Sequence, residues 1–288
     1  MVGLAKPRPT LQDYKTGRLC DRAPPEPTIR IHGGARKAST TLQDRPPLLL
    51  NHILYEDHHL LVVNKPAPML TQAPSNIPSL ESLAKNYIKE KYAKPAGVYL
   101  GIPHRLDRPV SGVVCFARNT KAAQRIHAQF QEHKVSKVYW ALVEGDVTPE
   151  AGMWEDWIRK LAEESRVERA AEGEPGAKLA MLGYRVLKKV EGDTLIELSP
   201  LTGRTHQLRV QAAWRGYPVL GDTTYGSKRA FGPIAEEPRD RVIALHARSL
   251  TITHPFTKQE LTFVAPLPAY WGSIESAVPT SDSPNEVN

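Results

Sequence analysis

His104–Asn119 reads HRLDRPVSGVVCFARN. The first half is charged and broken by Pro109. The second half, Gly112–Ala117 (GVVCFA), is an apolar run of strand length and predicts a buried strand. A helix is expected from about Thr120, burying Ala123, Ile126 and Phe130 on one stripe. Upstream, Ile53–Tyr55 and Leu60–Val63 flank Glu56-Asp57-His58-His59 and read as a hairpin. After Pro78-Ser79, apolar residues recur at Leu80, Leu83, Ala84, Tyr87 and Ile88. This spacing predicts an amphipathic helix with Ser79 as its N-cap. Downstream, Lys137–Val143 (KVYWALV) alternates as a strand, with Val138, Trp140 and Leu142 on one face and Tyr139, Ala141 and Val143 on the other. Tyr184–Val190 with Thr194–Leu198, and Leu250–Thr253 with Glu260–Val264, predict two more hairpins. A short helix is expected from His206 to about Trp214. Strands outnumber helices and most are joined by short turns. The fold class is therefore α+β, a mainly antiparallel mixed β-sheet with flanking helices and loops.

The chain has 288 residues, 41% hydrophobic and 24% charged, which excludes wholesale disorder. No apolar run reaches the roughly 18–20 residues of a membrane-spanning helix. The N-terminus lacks a signal-peptide core. Two cysteines, Cys20 and Cys115, supply neither a disulfide framework nor a four-ligand zinc site. The expectation is a cytoplasmic, monomeric protein with no metal and no membrane partner. Lys and Arg number 38 against 31 Asp and Glu, a net charge of +7 that suits a polyanion such as nucleic acid. Residues 1–47 hold seven prolines and nine basic against four acidic residues, and read as an extended basic arm. The folded part is expected over 48–272 and a polar tail over 273–288. Residues 159–178, charged and Gly-rich, read as a surface excursion.

The chemistry concentrates in two clusters. In His104–Gly112, Asp107 stands between Arg105 and Arg108; nearby cations favour an ionised carboxylate, a poor general acid but a workable nucleophile. In Leu201–Val210 (LTGRTHQLRV), a Gly-led turn enters a helix carrying arginines at 204 and 209, which suits an anion. Gly216–Gly226 (GYPVLGDTTYG) adds tight turns, and Asp222 within it reads as structural.

Together these segments resemble the RluA-type pseudouridine synthases. VVNKPAPML (Val62–Leu70), HRLDRPVSGVVCFARN, KVYWALVEG (Lys137–Gly145) and LTGRTHQLRVQAAWRGYPVLGDTTYG (Leu201–Gly226) match that family's motifs in order, spanning about residues 52–270. The resemblance implies a pseudouridine-synthase catalytic fold at 48–272. It implies an isomerase that detaches uracil from ribose in ribosomal or transfer RNA, turns it and rejoins it through carbon, without a cofactor. It implies Asp107 as the catalytic carboxylate, Arg204 as its ion-pair partner and Tyr139 as the residue stacked on the target base. Arg105 is expected to enter the RNA helix in place of the flipped base. Lys65, His104, Arg108, Gln207 and Arg209 are further candidates for RNA contact or loop support, and His104 and His206 read equally well as neutral structural histidines. Val110 stands where the family usually has Thr, and Gln211 where His is common. Two rival readings are a non-catalytic RNA-binding protein on the same scaffold and a nucleoside- or glycoside-cleaving hydrolase, which would need a second carboxylate.

Overall fold

The computed structural model describes residues 52–74, 76–161 and 166–277. The expected arm lies outside these residues. So does most of the expected tail, although a 3-10 helical segment, Ala269–Ala277, runs past Gly272.

In chain order the elements are β1 (Ile53–Glu56), β2 (Leu60–Lys65), α1 (Leu80–Lys91), β3 (Ser111–Ala117), α2 (Thr120–Gln131), β4 (Ser136–Glu144), β5 (Ala151–Lys160) and β6 (Val167–Ala170). There follow β7 (Lys178–Val190), β8 (Asp193–Pro200), α3 (Gln207–Trp214), β9 (Leu245–Thr253) and β10 (Glu260–Val264). The strands form one mixed sheet in the order β1-β2-β3-β9-β4-β8-β7-β5-β6, with β10 also paired to β9. Its parallel pairing joins β3 to β9, at Ser111↔His246 and Gly112↔Ala247. One edge of β9 carries β4 along most of its length; the other carries β3 and then β10.

Both faces of β2 and β3 are covered, which is why their sequences are continuously apolar. Leu60, Val62, Val113 and Cys115 pack with Ile126 of α2, while Leu61, Val63, Val114 and Phe116 pack with Leu80, Ala84, Tyr87 and Ile88 of α1. Ser79 caps α1 in a reciprocal box with Ser82. Asn119 caps α2 through a 2.9 Å bond from the Ala122 amide. Of the expected stripe on α2, Ile126 is buried and Phe130 packs partly buried against the same cluster, while Ala122 takes the inward place expected of Ala123.

The described residues of 159–178, which are 159–161 and 166–178, are not an excursion from the sheet. They hold the end of β5, all of β6 and the start of β7, paired from Trp157↔Ala170 to Lys160↔Val167 and joined by an Arg159–Glu168 ion pair of 2.8 Å. The alternation was hidden because a carboxylate occupies an inward position: Trp154, Asp156 and Ile158 are all buried. Asp156 is bonded there by Arg215 (2.8 Å) and Gln211 (2.7 Å). Gln211, one of the two departures from the family pattern, thus ties α3 to β5; the other, Val110, is a core residue.

The β3–β9 pairing brings two backbones unusually close at Gly112, which has φ +117°. A Cβ there would lie 2.3 Å from the Ala247 carbonyl oxygen, so glycine is required. Next to it, His246 is fully buried. Its Nε2–H donates to the Ala265 carbonyl (3.2 Å), which leaves Nδ1 to accept from the Ser111 hydroxyl (2.8 Å). Burial pushes its pKa down to about 4. Between pH 6.5 and 4 the unfolded chain therefore binds a proton that the folded chain refuses, and stability falls as pH drops through this window. By pH 5 this amounts to about 2 kcal/mol. Urea unfolding at pH 7 and pH 5 should show the loss, and His246→Gln should reduce the difference. Equal midpoints for the unaltered protein would refute the assignment of a neutral imidazole.

Candidate active site

The loop between Gly101 and β3 is fastened on several sides. Gly101 and Ala117 exchange backbone bonds of 2.8 and 2.9 Å at its base. The Thr71 hydroxyl donates to the Leu106 carbonyl (2.9 Å) and accepts from its amide (3.1 Å). The Val110 amide closes a turn onto the Asp107 carbonyl (3.1 Å), and the Ile243 amide reaches Pro109 (3.3 Å). Leu106 and Val110 are buried, but the Asp107 side chain between them keeps 32% of its surface open. A rigid loop therefore presents one accessible carboxylate.

Lys65 holds this loop from below. Its side chain is fully buried, and its ammonium donates to the carbonyls of Pro66 (3.1 Å), Met69 (2.7 Å) and Arg108 (3.3 Å). Those three acceptors use every proton an ammonium has. Burial pushes its pKa down to about 7, and the negative charge of Asp107 opposes that shift.

The ion-pair partner of Asp107 is Arg209, not Arg204. Arg209 Nη1 lies 3.1 Å from Asp107 Oδ2, while its Nε and Nη2 grip Asp222 in a bidentate pair at 2.6 and 2.8 Å. The guanidinium also lies over the Tyr225 ring, 5.0 Å from its centroid. Arg204 is exposed, and its Nε donates to the Leu179 carbonyl at 3.0 Å. The reason is the start of α3. His206 adopts a left-handed conformation (φ 49°) and the helix begins at Gln207. Arg204 is thereby left in the preceding turn and Arg209 is rotated inward.

His206 and Tyr225 complete this wall. The Tyr225 hydroxyl accepts the Val167 amide (3.1 Å) and bonds His206 Nδ1 (2.8 Å). If the hydroxyl proton goes to Nδ1, the neutral ring turns its Nε2–H toward Asp107 Oδ2, 3.6 Å away. Burial lowers the His206 pKa, with Asp107 pulling the other way. Tyr139 stands half-buried on β4, within reach of the Asp107 charge, while Trp140 enters the core. Burial, then the charge of Asp107, raises the Tyr139 pKa, so its phenol stays protonated.

An open carboxylate, a locked arginine and a protonated tyrosine thus converge where four sequence motifs meet. Residues 59–214 match the family model described as RNA pseudouridylate synthase. This chain belongs to the RNA pseudouridylate synthase family. It is 32% identical over 248 residues to the ribosomal large subunit pseudouridine synthase C of Buchnera aphidicola subsp. Schizaphis graminum, covering 82% of this chain and 73% of that protein. It is 32% identical over 230 residues to the tRNA pseudouridine synthase C of Vibrio parahaemolyticus, covering 76% and 91%. Among solved structures, Human RNA Pseudouridylate Synthase Domain Containing 4 is similar with a TM-score of 0.63 at 26% identity, covering 77% of this chain and 90% of that one.

The fold of this pseudouridylate synthase family member sorts the expected RNA contacts by exposure. Arg105 is exposed, with no bonded partner among the described residues. Arg108 is half-buried and pairs with Asp240 at 3.1 Å. Lys65, Gln207 and Arg209 are buried, and their polar atoms are engaged by protein groups, as the loop-support alternative requires. Gln207 accepts from the Thr202 hydroxyl (2.8 Å) and the Arg204 amide (3.0 Å) and donates to Met181 (3.0 Å). His104 accepts the Cys115 amide (2.9 Å) and stacks on Phe130; burial, then the charge of Lys137, pushes its pKa to about 3, so it is a neutral structural histidine. Asp222 and Tyr225 are the site residues the sequence reading undervalued. The available signal was an Asp in an apolar turn (VLGD), which requires a buried cation. Among the described residues no group of three or more His, Cys, Asp or Glu could hold a metal, and no helix is long and apolar enough to cross a membrane.

Proposed function

We propose that this chain converts uridine to pseudouridine in ribosomal or transfer RNA, with Asp107 as the reacting carboxylate. The observation that carries the reading is the open Asp107 side chain, paired with an arginine that Asp222 holds in place, beside the protonated Tyr139. The family supplies the reaction class, and the named relatives supply the substrate classes. The reaction breaks the bond from ribose to uracil nitrogen and forms one to carbon 5, whose hydrogen leaves as a proton while the freed nitrogen takes one up. A uridine within a helix must first be everted, which costs a few kcal/mol. Arg105, exposed two residues before Asp107, is placed to fill the gap through its planar, stacking guanidinium. Tyr139 flanks the uracil, and Arg209 fixes the carboxylate. A hydrolase would need a second carboxylate near the scissile bond; Asp222 is buried and fully engaged by Arg209. Such an enzyme would work in the compartment that holds these RNAs, the cytoplasm.

The test is incubation of the purified protein with large-subunit ribosomal RNA and transfer RNA transcripts carrying tritium at uracil carbon 5. Tritium release without free uracil is the expected result. Free uracil would indicate a hydrolase, and no release from either RNA would leave only the binding-protein reading.

A further inference from the structure

One more cation stands beside the candidate active site, and the reaction as described has no use for it. Lys137 precedes Tyr139 by two residues on β4, so the two side chains leave the same face of the strand, about 7 Å apart at their backbones. The strand runs alongside the Asp107 loop: Lys137 is the electrostatic neighbour of His104, and Tyr139 that of Asp107. On the other side stands Gly203, where a Cβ would lie 4.0 Å from Lys137 Nζ. The amine is therefore set between the Asp107 loop and the turn leading into α3, which also border the candidate active site.

Its environment is largely buried, and that burial pushes its pKa down to about 8. Yet among the described residues Lys137 makes no hydrogen bond and no ion pair. Lys65 shows the contrast: fully buried, it has a carbonyl for every proton. The neighbouring His104 is no counterion, because it is neutral and its Nε2 is taken by Cys115. A withdrawn ammonium with no anion is costly unless a ligand supplies one.

We propose that Lys137 binds a phosphodiester oxygen of the RNA strand at the target nucleotide. This rests on the synthase reading above. A phosphate fits better than a uracil carbonyl, because the site lacks a countercharge and a carbonyl brings none. The bare Gly203 leaves room for a sugar–phosphate chain to pass. The separation from Tyr139 is on the scale of that between a nucleotide's base and its phosphate. A lysine amine suits one phosphate oxygen as a point charge.

The experiment compares the unaltered protein with Lys137→Met and Lys137→Arg, using the tritiated transcripts for turnover and short oligouridylates for binding. Lys137→Met should raise KM and Kd about tenfold with little change in kcat, and should flatten the slope of log K against log salt by about 0.7–1. Lys137→Arg should recover most of the affinity. Oligouridylates whose linkages are uncharged methylphosphonates should lose the difference between the unaltered protein and Lys137→Met. An unchanged salt slope, or a fall in kcat with KM preserved, would overturn the inference by removing the amine from phosphate or placing it on the reacting base. If Lys137→Met fails to fold, Lys137→Gln takes its place, and with neither variant folded the inference is overturned in favour of a structural lysine. No tritium release by the unaltered protein would refute the synthase reading itself; release with normal kinetics in Lys137→Met would refute only this inference.

Discussion

Replacing Asp107 by Asn is expected to abolish pseudouridine formation, by at least about 10⁴-fold, while the protein folds and binds RNA. The amide keeps the shape of the side chain and one oxygen to accept from Arg209. It removes the negative charge, and with it the ability to attack or to assist departure of the base. Folding should survive because the backbone bonds of the loop run through Thr71, Lys65 and Ile243, not through the carboxylate. Arg209 would also keep its bidentate bond to Asp222, so no buried charge is orphaned and the stability loss should stay within about 1–2 kcal/mol. Tritium release and urea unfolding on the same preparation check both halves. Appreciable product from the variant would remove Asp107 from the chemistry.

The second large effect concerns the arginine. Arg209→Met leaves Asp222, 1% exposed, without its cation. Breaking a buried pair on one side costs about 3–5 kcal/mol, so the single variant should be strongly destabilised as well as inactive. The double variant Arg209→Met with Asp222→Asn no longer buries an uncompensated charge and should regain much of that stability. It should not regain turnover, because Asp107 still lacks the cation 3.1 Å from its Oδ2. The non-additivity in stability, with none in activity, separates the two roles of one guanidinium. Arg204→Met is the control: its exposed side chain makes a single bond to a carbonyl, so stability should change by about 0.5 kcal/mol or less. Turnover lost in Arg204→Met and retained in the Arg209 double variant would reverse the assignment.

Local patterning alone was enough to place most of the scaffold. The run LLVV, the recurrence Leu80–Ile88 behind Ser79, and the alternation of KVYWALV each encode an element through near-neighbour chemistry, and each element begins within one residue of its expected start. The order of the motifs was enough to point to the family and to Asp107 and Tyr139 as residues of interest. Direction was beyond its reach. Arg204 and Arg209 are chemically identical, and which one meets Asp107 depends on the left-handed residue at His206 that sets where α3 begins. Lys65 reads as a candidate for either RNA contact or loop support until three carbonyls from two separated segments are seen to surround it. Strand β6 stayed hidden because its partner β5 turns a carboxylate inward, a choice made tolerable by Gln211 of α3, by Arg215 just after it and by Arg169 of β6. Residue type and spacing determine which local structures form and what chemistry is on offer. Which charged groups face one another across a hundred residues is decided only when the sheet closes, because burying a charge is permitted only where the fold delivers its partner.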